Sequence, residues 1–145
     1  MTGIQDQHSR QSEQWYIERR EHRRHRLEGK GVNVHRWDYS RQGTLVLGEV
    51  VDLSSGGVRI RTRQTHIKPD QQIRVRIELP TYAGISPFVD KTGDAPVPTN
   101  EWIGWMAVTR VQQSGDSEAE IAGRLMDMDE LDRGMLSLYL STQPA

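Results

Sequence analysis

The sequence predicts an all-β domain of about six antiparallel strands followed by one C-terminal helix. Three observations carry that prediction. Apolar and polar residues alternate with period two in several runs, so each strand has one buried and one wet face, the habit of antiparallel sheet. Turn-forming Gly, Asn, Asp and Pro residues separate those runs. Near the end the periodicity changes: Leu131, Met135, Leu138 and Tyr139 recur at helical spacing. Short strands of this kind build a small barrel or sandwich, which a one-striped helix can plug or flank.

The elements follow in order. Residues 1–18 are mostly polar and read as a flexible tail, with Trp15, Tyr16 and Ile17 bringing the first apolar surface. Val32 and Val34 alternate with polar neighbours, and residues 44–52 form a β-rich run interrupted by Gly48. In residues 57–63, Val58 and Ile60 face one way while Arg59, Arg61 and Arg63 face the other. Ile73, Val75, Ile77 and Leu79 alternate with Arg74, Arg76 and Glu78, and Pro80 ends that strand. Residues 81–100, with three prolines, read as a long loop excursion. Residues 101–111 and 119–126 form a hairpin around Gly115-Asp116. Asp127, Asp129, Glu130 and Asp132 then crowd a helix start, where the helix dipole favours negative charge.

Composition bounds the function. The 145 residues suit one domain, placed at residues 19–141. There is no cysteine, which removes disulfides, thiolate nucleophiles and Cys-based zinc sites, and fits a reducing compartment. No apolar run approaches the roughly 18 residues of a spanning helix, and the N-terminus has no apolar signal segment. A cytoplasmic protein without membrane insertion is expected. The net charge of −1 hides an asymmetry: residues 1–36 hold 8 Lys/Arg against 5 Asp/Glu, and five of those cations fall in residues 19–26. Such a cluster points to an anionic partner.

Two stretches can carry chemistry. The first is Arg19-Arg20-Glu21-His22-Arg23-Arg24-His25-Arg26. Guanidinium forks match phosphate oxygens and the O6/N7 edge of guanine. Taken alone, the run also fits a solvated basic arm. The second is Asp52-Leu53-Ser54-Ser55-Gly56-Gly57, which must turn the chain between two strands. Its glycines permit positive φ and close approach of their amides to an anion, and Asp52 could accept the N1 and N2 hydrogens of guanine. Taken alone, it also fits an ordinary Asx-type turn. Arg59 and Arg61 read as solvated strand charges that could widen the basic surface. Trp105 could stack on a base, though a core or partly buried position suits it better. His22 and His25 lack the further ligands that a metal site needs, and no Walker loop or nucleophile elbow is present. No enzyme, metal or cofactor is expected.

Together the two stretches resemble the PilZ family of cyclic di-GMP receptors. That family carries Arg-x-x-x-Arg, often with an arginine in front, followed some twenty to thirty residues later by Asp/Asn-x-Ser-x-x-Gly. This chain has Arg20-Glu-His-Arg-Arg24 behind Arg19, and Asp52-Leu-Ser54-Ser-Gly-Gly57 after 27 intervening residues. Arg19–Arg23 has the same spacing; the Arg-Arg-x-x-x-Arg form selects Arg20–Arg24. The resemblance implies a six-stranded antiparallel β-barrel with a C-terminal α-helix and a flexible N-terminal arm. It implies that Arg19, Arg20 and Arg24 clamp phosphates and guanine edges, and that Asp52 reads guanine. Ser54 and Gly57 would shape the turn and contact the ligand, with Arg23, Gly56 and Arg59 as further contributors. Cyclic di-GMP is then the ligand, and binding changes a surface for a protein partner. Two alternatives stand beside this: a ligand-free docking module of the same family, and a non-specific anion or nucleic-acid binder. The second leaves the Asp-x-Ser-x-x-Gly turn unexplained.

Overall fold

The computed structural model describes residues 24–64 and 66–143. Its elements are β1 (His25–Arg26), β2 (Asn33–Asp38), β3 (Gly43–Leu53), β4 (Gly57–Thr62), β5 (Gln72–Glu78), β6 (Phe88–Asp90), β7 (Val97–Thr99), β8 (Glu101–Gln113), β9 (Ala119–Met126) and α1 (Glu130–Ser141). Six of the strands pair in the order β3-β2-β5-β8-β9-β4, and β4 pairs back to β3, closing an antiparallel barrel. The short β1 lies against the far end of β3. The expected tail, residues 1–18, and Arg19, Arg20 and Arg23 lie outside the described residues.

Alternation fills the barrel as expected. Val58, Ile60, Ile73, Val75 and Ile77 are buried, as are Met106, Val108 and Ile121 from the closing hairpin. Two close approaches fix the backbone. A methyl group on Gly48 would lie 2.1 Å from the Arg61 carbonyl oxygen and 2.7 Å from Ile60 Cγ2, so β3 and β4 can meet there only through glycine. Trp102 folds inward over Gly104, where a methyl would lie 2.2 Å from its ring.

Two expectations are corrected. Residues 81–100 are not a structureless excursion: Tyr82 bridges Ile85, and β6 and β7 form a two-stranded hairpin. The hairpin is pinned to the helix. Asp132 accepts from the Val89 amide at 3.0 Å, and Lys91 reaches both Asp132 and Asp129. The helix stripe is also rotated. Leu136, Tyr139 and Leu140 face the core together with Asp132, whereas Leu131 and Leu138 are exposed. Asp132 sits on the buried side because the hairpin amide and Lys91 satisfy its carboxylate. The helix starts as the acidic run suggests, with the Asp129 carboxylate capping the Asp132 amide at 2.8 Å. At its other end the Tyr139 hydroxyl donates to the Pro80 carbonyl at 2.6 Å, and burial pushes its pKa above the ordinary value.

Candidate functional site

The end of β3 and the start of β4 meet in a tight bend. Ser54 and Ser55 are buried there. The Ser54 amide donates to the Gly57 carbonyl at 2.9 Å. Ser54 Oγ accepts from the Gly56 and Gly57 amides at 3.3 and 3.1 Å. This is a serine turn: the hydroxyl replaces a backbone acceptor and fixes the loop. Both amides are already occupied, and among the described residues the positive-φ glycines are Gly29, Gly31 and Gly84. Gly57 instead permits a close approach, since a methyl there would lie 3.1 Å from the Gly123 carbonyl on β9.

The helix holds the same bend from below. Arg133 donates to the Ser55 carbonyl at 3.0 Å, and the Leu125 amide donates to the Gly56 carbonyl at 3.2 Å. Nothing in the sequence marks Arg133 for this role: its partner is 78 residues away.

Asp52 is the penultimate residue of β3, with its side chain 8% exposed. One carboxylate oxygen accepts from Arg24 at 3.2 Å, and the other meets Arg59 at 2.6 Å. Arg24 reaches it because β1 pairs with β3, setting Arg26 opposite Asp52, and because buried Leu27 donates its amide to the Val51 carbonyl at 2.8 Å. Arg24, expected as part of a free arm, is therefore already docked on the acid. The two motifs meet at this point.

Arg59 and Arg61 are not solvated strand charges. Arg59 bridges Asp52 and Glu120, the latter at 3.1 Å but too poorly aligned for its Nε to make a hydrogen bond. Arg61 is held by Glu28 and Glu118. The hydrogen bond from Arg61 lowers the Glu28 pKa, and Glu28 in turn raises that of Arg61. Register explains the ladder: Arg59 lies opposite Ala122 and Arg61 opposite Glu120, which brings Glu120 of β9 and Glu118 just before it alongside the outward arginines of β4. Alternation in sequence marks both faces; only the pairing register, which alternation does not specify, brings them together. Chemically, the site is a nearly buried carboxylate under two guanidinium groups, one open to solvent (Arg24, side chain 55% exposed) and one built in. Guanidinium forks can receive phosphates, and the carboxylate can receive paired N–H donors.

Trp105 lies elsewhere. It is 36% exposed on β8, three strands from β3 by either route around the ring. Among the described residues no group of three His, Cys, Asp or Glu side chains could hold a metal ion, and no helix is long and apolar enough to cross a membrane.

Comparison with known proteins gives one family match and several structural matches. The family model described as PilZ domain matches residues 18–91. The solved structure of the Bacillus subtilis inhibitor of motility (MotI/DgrA) aligns with a TM-score of 0.53 at 12% identity, covering 76% of this chain and 44% of that one. The chain thus spans less than half the length of that protein, and the likeness is one of fold. No curated protein sequence matches.

Proposed function

Because the chain belongs to the PilZ domain family, which binds cyclic di-GMP, we propose that it is a cyclic di-GMP receptor whose pocket forms between the arginine run and the Asp52–Gly57 bend. The observation that carries this reading is the Arg24–Asp52 contact, which joins the end of the first motif to the start of the second. Arg24, with Arg19 and Arg20 preceding it, receives the phosphates and the Hoogsteen edges of guanine. Asp52 accepts from a guanine Watson–Crick edge. Arg59 holds the carboxylate in place, and Ser54 fixes the bend. Entry of the ligand replaces the Arg24–Asp52 contact with contacts to phosphate and base. The role is reception in the cytoplasm, with the altered surface read by a protein partner.

Calorimetric titration with cyclic di-GMP, with cyclic di-AMP as control, tests this. Binding at ~1 μM or tighter is expected, with cyclic di-AMP silent and binding lost in Arg24→Ala and Asp52→Ala. Absence of heat together with an unchanged melting temperature would overturn the proposal. A steep salt dependence without base preference would support the anion-binding alternative instead.

A further inference from the structure

The wall of the barrel around β5 has a different character. Nine large hydrophobic residues are exposed among the described residues, and five of them (Trp37, Tyr39, Val46, Ile103 and Trp105) belong to strands β2, β3 and β8 or the turn after β2. Pairing register assembles them. Val46 lies opposite His35, His35 opposite Arg76, and Arg76 opposite Ile103. In the neighbouring row Arg74 lies opposite Trp105. Trp37, one residue beyond the Arg36–Val75 pair, is level with Arg74 on its other side. Two arginines thus stand in an apolar frame, and His35, Trp37, Arg74, Arg76, Glu101 and Ile103 line a groove across it.

The arginines here differ from those of β4. Arg59 and Arg61 are each matched by two carboxylates. Among the described residues Arg74 and Arg76 take part in no ion pair, and Arg76 Nε is shielded from solvent without an acceptor. A covered donor without a partner is costly unless an acceptor arrives. Trp, Tyr and Arg are the residues on which protein interfaces concentrate their binding energy.

We infer that this wall docks a protein segment carrying one or two carboxylates between aliphatic or aromatic side chains. The carboxylate meets Arg74 and Arg76, and its apolar neighbours cover Trp105, Ile103 and Val46. Charge selects this occupant. A twofold contact centred on Arg74 and Arg76 would set the guanidinium groups of two copies against each other. A nucleic-acid strand, charged at every phosphate, would also have to lie along Glu78 and Glu101, which face each other at the end of the same strands, whereas a segment can set its carboxylate at Arg74 and Arg76 alone.

The test pans a display library of random 12-residue peptides against the full chain. Enriched peptides synthesised with a fluorophore are then titrated against parent and variant proteins. Expected are peptides with Asp or Glu flanked by Leu, Ile, Phe or Trp, whose affinity falls at least ~10-fold in Trp105→Ala and in Arg76→Glu. The Arg74→Glu/Arg76→Glu protein should instead enrich Lys- and Arg-bearing peptides. Cyclic di-GMP titrations should be the same for parent and variants, since β5 lies opposite β4 in the ring. The inference is overturned by a lack of enrichment or by peptides indifferent to these substitutions. It is equally overturned by self-association that Trp105→Ala abolishes in sedimentation, or by binding of oligo-dT to the same wall.

Discussion

Replacing Arg59 with methionine keeps the apolar stem and removes the guanidinium. The Asp52 carboxylate, 8% exposed, then loses its 2.6 Å partner and keeps only Arg24, whose own side chain is 55% exposed. Leaving a covered polar group short of a partner costs about 1–3 kcal/mol. Because the orphaned acid is nearly buried, the upper half of that range applies, and the half-buried Glu120 contact adds less than about 1 kcal/mol. The expected loss is about 2.5 kcal/mol. With a urea slope of about 1.5 kcal/mol per molar for a domain of this size, the midpoint falls by about 1.5–2 M. Asp52→Asn removes the other charge, so the double variant should be less destabilised than the two single losses together. The cycle should give a coupling of at least about 1.5 kcal/mol. Urea unfolding followed by tryptophan fluorescence measures all four proteins. An Arg59→Met midpoint within about 0.3 M of the parent, or a coupling near zero, would refute the view that Arg59 holds Asp52 in place.

Three further outcomes are expected. Gly48→Ala places a methyl against the backbone of β4, which cannot turn aside as a side chain can; it should cost about 3 kcal/mol or more by urea unfolding, and a parent-like midpoint would contradict the close approach. Tyr139→Phe should cost about 1 kcal/mol for the lost bond to Pro80. It should also flatten the alkaline limb: the folded phenol holds its proton more tightly than the unfolded one, so its contribution is complete below pH 10.0 and lost as pH rises through the folded value. Carboxyl-resolved NMR titration should place the Glu28 midpoint below 4.5, moving up towards it in Arg61→Ala. The corresponding stabilisation is present above the unfolded midpoint and disappears as pH falls through the folded one.

Much of the barrel was legible because its strands are wet on one side. In β4 and β5 every second residue is apolar, and burial follows that count through Val58, Ile60, Ile73, Val75 and Ile77. The hairpin of β6 and β7 was not legible: each strand has three residues, one of them Pro98, too short for a period to show. The helix carries two stripes, Leu131–Met135–Leu138 and Asp132–Leu136–Tyr139–Leu140. With its aspartate, the latter stripe is the more polar of the two in sequence; only the fold reveals the Val89 amide that lets Asp132 be buried. At the site, Arg24 and Asp52 were marked by motif spacing, whereas Glu120 and Arg133 depend on register and on a helix docking from far along the chain.

Closure of the ring through β3 and β4 leaves its six strands without a free edge for another chain's backbone to zip onto. The small hairpin offers little in its place, since Pro98 has no amide hydrogen to give. Recruitment to this barrel must therefore be written in side chains, where single substitutions can retune who is recruited without touching the fold.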